Sequence, residues 1–263
     1  MTLVVSDISR HGVIMVGDSA VTRKRGVDPP EVISGAVKVQ YFAKVNVGIG
    51  MWGQARVGDQ RLDNWIATFA DQSINTGDSV ETIGNRLAKE LNPFLERSGK
   101  PWKDLVCGFH LGGFRDDLPV LFHVHCGHNN EPAHELRLYK DYPDDQKWSE
   151  YSYNYFLNFE FLHLRNGYHP LFGPLFDNIL DYSKTLRAGF NISFPQNSLN
   201  GRFEFYKLLV KFVAGVLPVA GIHPGVNQTL SSIAFTKDGL KINEQLNFDI
   251  PHDDTDPNLS FYF

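Results

Sequence analysis

The order in which strand patterns and helical patterns follow one another is the feature that most restricts the fold of this chain. Four strand patterns come first, then two helical patterns, several strands, two further helices and a final strand pair. Because the helices are grouped in pairs between runs of strands, the order predicts sheets packed face to face with helix layers outside. A doubly wound parallel sheet would require strands and helices to alternate, and they do not. We therefore predict an α+β fold, a four-layer αββα sandwich.

The patterns also set the expected limits of each element. Predicted strands cover residues 3–6, 12–17, 37–42, 45–49, 105–111, 120–124, 159–164, 230–235 and 240–245. Predicted helices cover residues 57–69, 78–95, 171–186 and 203–217. Glycine and proline in residues 23–35 predict a loop, and Asp238-Gly239 predicts the turn of the last hairpin.

The length and composition of the chain fit one domain. With 263 residues, 42% of them hydrophobic, a sizeable core can form, and no internal repeat or low-complexity block divides the chain. We expect a single domain over residues 1–263. It carries a polar and aromatic excursion at about residues 129–155 and a loose, Asp-rich tail from about residue 251.

The charge balance and the cysteine count restrict partners and location. A formal net charge of -5 argues against a nucleic-acid surface, since the only dense basic run is Arg23-Lys24-Arg25. Two cysteines make no disulfide framework. The longest apolar stretch, residues 208–222, is interrupted by Lys211 and Pro218 and is too short to span a bilayer. We expect a cytoplasmic protein with no nucleic-acid and no membrane partner.

A threonine directly after the initiator methionine has a specific chemical possibility. If Met1 is removed, Thr2 becomes the first residue, and a free α-amine ordinarily has a pKa of about 7.7–8.0. The residue then holds both a hydroxyl nucleophile and its own general base, a pairing known among activated nucleophiles. Thr2 is therefore a candidate catalytic residue.

Three segments are spaced from Thr2 in a recognisable way. Residues 17–22 (GDSAVT) end the second predicted strand, and residues 38–42 (KVQYF) open the third. Residues 47–55 (VGIGMWGQA) form a strand and a glycine-containing turn before a helix. In these segments the chain resembles the proteasome β-subunits and the related bacterial ATP-dependent peptidase subunits, which are N-terminal-nucleophile hydrolases. The motifs match within residues 2–70, and the order of elements matches beyond them.

The resemblance implies a role for each matching residue. Thr2 Oγ1 would attack a peptide carbonyl, and the positive charge of Lys38 would favour the neutral amine and the developing alkoxide. Asp18 would pair with Lys38 and hold it in place. The backbone N–H of Gly53 would donate to the oxyanion, and Thr22 would hydrogen-bond the backbone of an extended substrate.

The resemblance also implies partners and cofactors. The substrate would be a peptide or protein, and the chain would work as a homo-oligomer, since the family encloses its sites in rings. Whether the chain works with an unfoldase partner is left open by the sequence. No metal and no cofactor are expected.

Two stretches depart from the family pattern and support a different function. The family has Ser-Gly before its third helix and Asp-x-x-Ser-Gly after its fourth, whereas this chain has residues 165–169 (RNGYH) and 221–225 (GIHPG). The glycines remain, but the serine and aspartate that support the amine do not. His223 could substitute in proton transfer. The alternative is a non-catalytic, proteasome-like protein that serves assembly or binding.

Two other motifs allow different interpretations. Residues 48–53 (GIGMWG) fit the dinucleotide fingerprint G-x-G-x-x-G, although no acidic strand end follows about 20 residues later. His123 and His125 would lie on one strand face, with His128 after the turn, and could hold a metal. A strand that runs into a turn is the favoured explanation of these histidines, and it requires no metal.

Overall fold

Two five-stranded antiparallel sheets dominate the fold in a computed structural model, which describes residues 2–25, 31–127, 133–142, 153, 157, 162–167, 169–192, 196–219, 226, 228–244 and 259–262. In pairing order, the strands of the first sheet are β12 (Leu162–Gly167), β1 (Leu3–Ser9), β2 (Gly12–Asp18), β13 (Leu230–Thr236) and β14 (Gly239–Glu244). Those of the second sheet are β11 (Arg137–Tyr142), β10 (Leu118–His125), β9 (Cys107–Arg115), β6 (Val47–Gly53) and β5 (Val39–Phe42).

Smaller strands complete the sheet structure. A three-stranded sheet has the order β15 (Leu259–Tyr262), β3 (Ala20–Arg25) and β4 (Glu31–Ser34). A short hairpin consists of β7 (Arg56–Val57) and β8 (Gln60–Arg61). Part of the predicted excursion is thus β11, at the edge of the second sheet, and the end of the predicted tail is β15.

The described residues include four α-helices: α1 (Leu62–Ser73), α2 (Val80–Arg97), α3 (His169–Phe190) and α4 (Leu199–Val219). A 3-10 turn covers Trp102–Asp104. Helix α2 begins at Val80, within two residues of the predicted start, where the Ser79 side chain accepts a hydrogen bond from the Thr82 N–H and satisfies a donor of the first turn. No helix in the described part of the chain is long and apolar enough to cross a membrane.

Three groups of buried apolar side chains connect the sheets and helices. One lies between the second sheet and helices α1 and α2, with Ile49 and Leu87 among its members. Another joins the first sheet to α3 and α4 and includes Val5 and Tyr206. The third contains Met15 of the first sheet and Leu121 of the second, so it lies between the two sheets. The α+β class predicted from the sequence is confirmed.

Glycines in the second sheet allow the two sheets to approach closely. A Cβ added to Gly48 would lie 2.8 Å from Met15 Sδ, and one added to Gly50 would lie 2.8 Å from Val4 Cγ1. Both distances are shorter than a normal van der Waals contact, so side chains of the first sheet occupy the space that a side chain at these glycines would need.

Two sequence predictions of local structure were wrong. The predicted loop over residues 23–35 contains the end of β3 and all of β4, with residues 26–30 outside the described part of the chain. Val57, placed at the start of the first helix, lies in β7, and α1 begins only at Leu62. At residues 23–35 the glycines and prolines were taken as marking one uninterrupted loop. At Val57 an apolar residue roughly in step with the helical spacing was counted into the helix, although the short β7–β8 hairpin precedes α1.

Candidate active site

Thr2, Lys38 and Asp18 form a continuous chain of polar contacts. The Lys38 ammonium Nζ donates to Thr2 Oγ1 at 3.3 Å and to Asp18 Oδ1 at 3.0 Å. Lys38 and Asp18 are fully buried, and Thr2 is 3% exposed. The structure therefore brings together three of the five predicted site residues, in the contact order that the resemblance implied.

Strand pairing explains why these residues meet. Strands β1 and β2 are antiparallel neighbours, and Val4 is paired with Gly17, so Leu3 lies beside Asp18. The Leu3 N–H donates to Asp18 Oδ1 at 2.8 Å. A Cβ on Gly17 would lie 3.3 Å from Lys38 Cβ, so glycine at this position leaves room for the lysine.

Backbone contacts hold Lys38 at the start of β5. Its carbonyl accepts from the Met51 N–H of β6 at 2.8 Å. The next residue, Val39, donates its N–H to Ser231 Oγ of β13 at 3.1 Å. Ser231 was not predicted as a site residue, and no sequence signal distinguishes it from Ser232, which follows it in the same strand.

The ion pair is stable in a buried site because the carboxylate is well supplied with donors. Besides Lys38 and Leu3, the Ala20 N–H donates to Asp18 Oδ2 at 2.9 Å. A buried charge without such partners would cost several kcal/mol. Burial lowers the pKa of the Lys38 ammonium, and the charge of Asp18 opposes that effect. The site therefore holds a buried lysine beside a hydroxyl. Because burial disfavours the charged form, such a lysine loses its proton more easily than an exposed one.

Gly53 lies at the end of β6, two residues beyond the Met51 that binds the Lys38 carbonyl. Because two residues of a strand span about 7 Å, Gly53 lies about that far from Met51 along β6. Its φ is +94°, and a Cβ would lie 2.0 Å from the Val106 carbonyl oxygen. Only glycine fits this backbone conformation without strain.

Thr22 is a half-buried residue in β3 and is not part of the contact chain. It pairs with Val32 of β4 on one side and with Tyr262 of β15 on the other. Its link to the site runs through the backbone, since Ala20 at the start of β3 donates to Asp18.

The stretches that depart from the family pattern are only partly described. Gly167 pairs with Leu3, so the end of β12 lies beside the residue that follows Thr2. Asn166 Oδ1 lies 2.6 Å from His110 Nε2, and Ser6 Oγ lies 2.9 Å from His110 Nδ1. Tyr168 and residues 220–225, including His223, lie outside the described residues.

The dinucleotide motif has a structural explanation. Residues 48–53 lie in strand β6, which pairs with β5 and β9, and Gly48 and Gly50 face side chains of the first sheet. A nucleotide-binding motif of this type requires a turn between a strand and a helix. The motif therefore lacks the strand–turn–helix arrangement that a nucleotide site requires, and Gly48 and Gly50 serve sheet packing.

The histidine motif contributes to an aromatic cluster. The His125 ring stacks on Tyr139 at 4.1 Å between centroids, and the His123 ring lies edge-on to His110 at 5.1 Å. Within the part of the chain that the structure describes, no three His, Cys, Asp or Glu side chains form a group able to hold a metal. His128 lies outside that part.

Comparisons with known proteins identify solved structures with a similar fold. No family model matches the chain, and no curated protein matches its sequence. The structure of Anbu (ancestral β-subunit) from Yersinia bercovieri matches with a TM-score of 0.53 and 11% identity, over 88% of this chain and 81% of that one. The helical assembly of the Anbu complex from Pseudomonas aeruginosa matches with a TM-score of 0.55 and 15% identity, over 96% and 88%. These likenesses are of the fold.

Proposed function

We propose that this chain is a threonine-type peptidase or amidohydrolase that uses Thr2 as its nucleophile once Met1 is removed. The observation that carries the proposal is the buried contact chain Thr2–Lys38–Asp18. Burial of a lysine ammonium costs free energy. Its positive charge would stabilise the negative charge that the Thr2 hydroxyl develops as it attacks a carbonyl. The similar folds named ancestral β-subunit support the same family of hydrolases.

The proposed reaction starts with attack of Thr2 Oγ1 on an amide carbonyl carbon. The hydroxyl proton passes to the free α-amine of Thr2, and the new C–O bond leaves a tetrahedral oxyanion. Gly53 N–H stabilises the oxyanion, and Lys38 stabilises the developing alkoxide, held in place by Asp18. The protonated amine then gives its proton to the leaving nitrogen as the C–N bond breaks, and water releases the acyl group.

The proposal includes a four-layer αββα sandwich and a homo-oligomer. The three apolar cores support the sandwich, since one lies between the sheets and each of the others joins one sheet to a pair of helices. The Pseudomonas aeruginosa protein is described as a helical assembly, which supports association of copies of this chain. A peptide or protein substrate and a cytoplasmic location complete the proposal.

One observation favours the second candidate function, a non-catalytic assembly or binding protein. Thr2 is 3% exposed and follows Met1, so in this form of the chain its hydroxyl is not open to a substrate. The serine and aspartate that support the amine in the family are also replaced. Under this alternative, Thr2, Lys38 and Asp18 are a structural contact only.

Covalent labelling distinguishes the two functions. We expect an electrophilic, threonine-directed probe to add to Thr2 in protein that lacks Met1, as observed by intact-mass and peptide mass spectrometry. Thr2→Ala should remove the adduct, and Lys38→Met should slow its formation by roughly a hundredfold, as loss of a preorganised charge does. Lys44→Met, at an exposed lysine, is the matched control and should label normally. Retention of Met1 on all molecules from the native host would exclude the mechanism.

A further inference from the structure

The two edges of β3 are both occupied by strands of this chain. Strand β4 pairs with one edge, from Ala20 opposite Ser34 to Arg23 opposite Glu31. Strand β15 pairs with the other edge, from Arg25 opposite Leu259 to Thr22 opposite Tyr262. Both pairings are antiparallel, and β3 is the central strand of this small sheet.

Of the two paired edges of β3, the one covered by β15 is covered by a segment that is distant in sequence. An exposed strand edge presents a row of backbone N–H and C=O groups, and an extended peptide binds such an edge by adding a strand. Because β4 follows β3 directly in sequence and pairs with its other edge, a peptide that contacts the Thr22 backbone has only the β15 edge available. The segment Leu259–Tyr262 lies there.

The direction of β15 relates this edge to the candidate site. Strand β3 begins at Ala20, whose N–H donates to Asp18. Since β15 is antiparallel to β3, its carboxyl-terminal residue, Tyr262, lies nearer that end than Leu259 does. An extended segment on this edge therefore runs toward the end of β3 that contacts Asp18.

We propose that Leu259–Tyr262 is an intramolecular occupant of a peptide-binding edge on β3, and that an extended polypeptide binds this edge by displacing it. The chain thus holds its own peptide-like segment where a polypeptide ligand would pair. The inference rests on the proposed function for the identity of the ligand as a substrate, but the exchange of one strand for another does not depend on Thr2 chemistry.

The size of β15 makes displacement feasible. It pairs through only four residues, and each backbone hydrogen bond contributes little net free energy because water replaces it. A competing peptide binds only molecules in which the edge is open. Its apparent affinity is therefore lower in proportion to the fraction of such molecules. A change that weakens β15 pairing should therefore strengthen the binding of added peptide.

Proline substitutions provide the test in the full-length chain. In an antiparallel pair, successive residues point their N–H groups to opposite sides, so either Ser260 or Phe261 donates toward β3. We would compare Ser260→Pro and Phe261→Pro with Ser260→Ala, which keeps the backbone N–H. The probe is a fluorescein-labelled peptide Leu-Ser-Phe-Tyr, followed by fluorescence anisotropy, and the control peptide Leu-Pro-Phe-Tyr lacks one N–H.

We expect at least one proline variant to bind the probe about tenfold more tightly than the unchanged chain, a factor that one or two lost hydrogen bonds account for. Hydrogen exchange at Thr22–Arg25 should become faster in that variant and slow again when the peptide is added. Ser260→Ala should behave as the unchanged chain does. Equal affinity in all variants, or no binding in any, would overturn the inference.

The same variants separate this inference from the proposed function. Adding Thr2→Ala should leave the peptide affinities unchanged, because strand exchange involves only the backbone of β3. If no electrophile labels Thr2 but the proline variants still bind the peptide more tightly, the proposed function fails and the strand-exchange inference stands. If Thr2 labels normally and peptide affinity does not change, the inference fails alone.

Discussion

Among the residues that the structure describes, two buried ion pairs involve the first sheet, and they differ in the cation that each uses. Asp18 of β2 binds Lys38, whereas Asp7 of β1 binds Arg202 of α4 at 3.1 Å. Burial is the largest influence in both: it lowers the pKa of the Lys38 ammonium and raises the pKa of the Asp7 carboxyl. A buried lysine can give up its proton, whereas a guanidinium stays protonated at any pH a protein tolerates.

The two ion pairs also differ in the hydroxyl group that each contacts. The Asp7 carboxylate also accepts from the Tyr206 hydroxyl at 2.8 Å, and burial raises the pKa of that phenol well above its usual value. The Asp18–Lys38 pair instead contacts the Thr2 hydroxyl at the beginning of the described chain. We infer that the arginine pair fixes α4 on the first sheet, and that the lysine pair is the one suited to chemistry.

The largest expected effect is a loss of stability when the arginine pair is broken. Arg202→Met should lower the free energy of unfolding by about 3–5 kcal/mol, because it leaves the Asp7 carboxylate buried without its cation. Urea denaturation at pH 7 measures the change. Thr2 in the molecules that stay folded should still label at the normal rate.

A double variant controls for the loss of volume at Arg202. Asp7→Asn combined with Arg202→Met should recover most of the lost stability, since the neutral amide oxygen can still accept from Tyr206. A loss below about 1 kcal/mol for Arg202→Met, the size typical of a surface pair, would show that the contact is not a structural one.

A smaller effect is expected from the hydroxyl that supports the lysine pair. Ser231→Ala should cost about 1–3 kcal/mol and slow Thr2 labelling, because the Val39 N–H beside Lys38 loses its acceptor. Unfolding by urea and the labelling rate are the two measurements.

The adjacent Ser232 is a matched control for that substitution. It is fully buried in the same strand, and its hydroxyl has no hydrogen-bond partner among the described residues. Ser232→Ala should therefore leave both stability and labelling almost unchanged. If the two serine variants gave the same result, the contact with Val39 would have no special role.

The smallest expected effect is a pH dependence at Asp7. Its folded-state pKa lies above the unfolded value, so the native state holds the proton more tightly, and its contribution to stability is lost as pH rises through the folded pKa. Relative to Asp7→Asn, the unchanged chain should gain stability on acidification from pH 7 toward pH 4. Denaturation curves between pH 4 and pH 7 measure this difference, and a flat difference would contradict the raised pKa.

The lysine pair should respond to pH with the opposite sign. Burial lowers the pKa of Lys38, so its contribution to stability grows as pH rises through that lowered value toward the unfolded pKa. The two pairs can therefore be told apart by the direction of the change alone.

The sequence could predict contacts within a motif but not contacts between distant segments. The spacing of Asp18 and Lys38 in a family-like pattern was enough to place them together with Thr2. Ser231 is 192 positions from Val39, and Arg202 is 195 positions from Asp7, so no local pattern connects them. Such pairs depend on how strands and helices pack, which apolar periodicity does not specify.

The strands of the small sheet were missed for a local reason. Gly26, Pro29 and Pro30 lie between β3 and β4, and these residues are typical of a loop, which is what the sequence predicted. The strands on either side are short, with 6 and 4 residues. Their pairing depends on each other and on β15, and not on an alternating apolar pattern.

The close contact between the two sheets has a consequence for how relatives of this chain can be recognised. Gly48 and Gly50, and likewise Gly112, whose added Cβ would lie 2.6 Å from Val13 Cγ1, face bulky side chains of the first sheet. At these positions selection acts on the absence of a side chain, whereas most core positions tolerate exchange among apolar residues of similar volume. A homologue with little overall identity should therefore keep these glycines while its other strand residues vary, and they would be more informative in an alignment than the apolar positions around them.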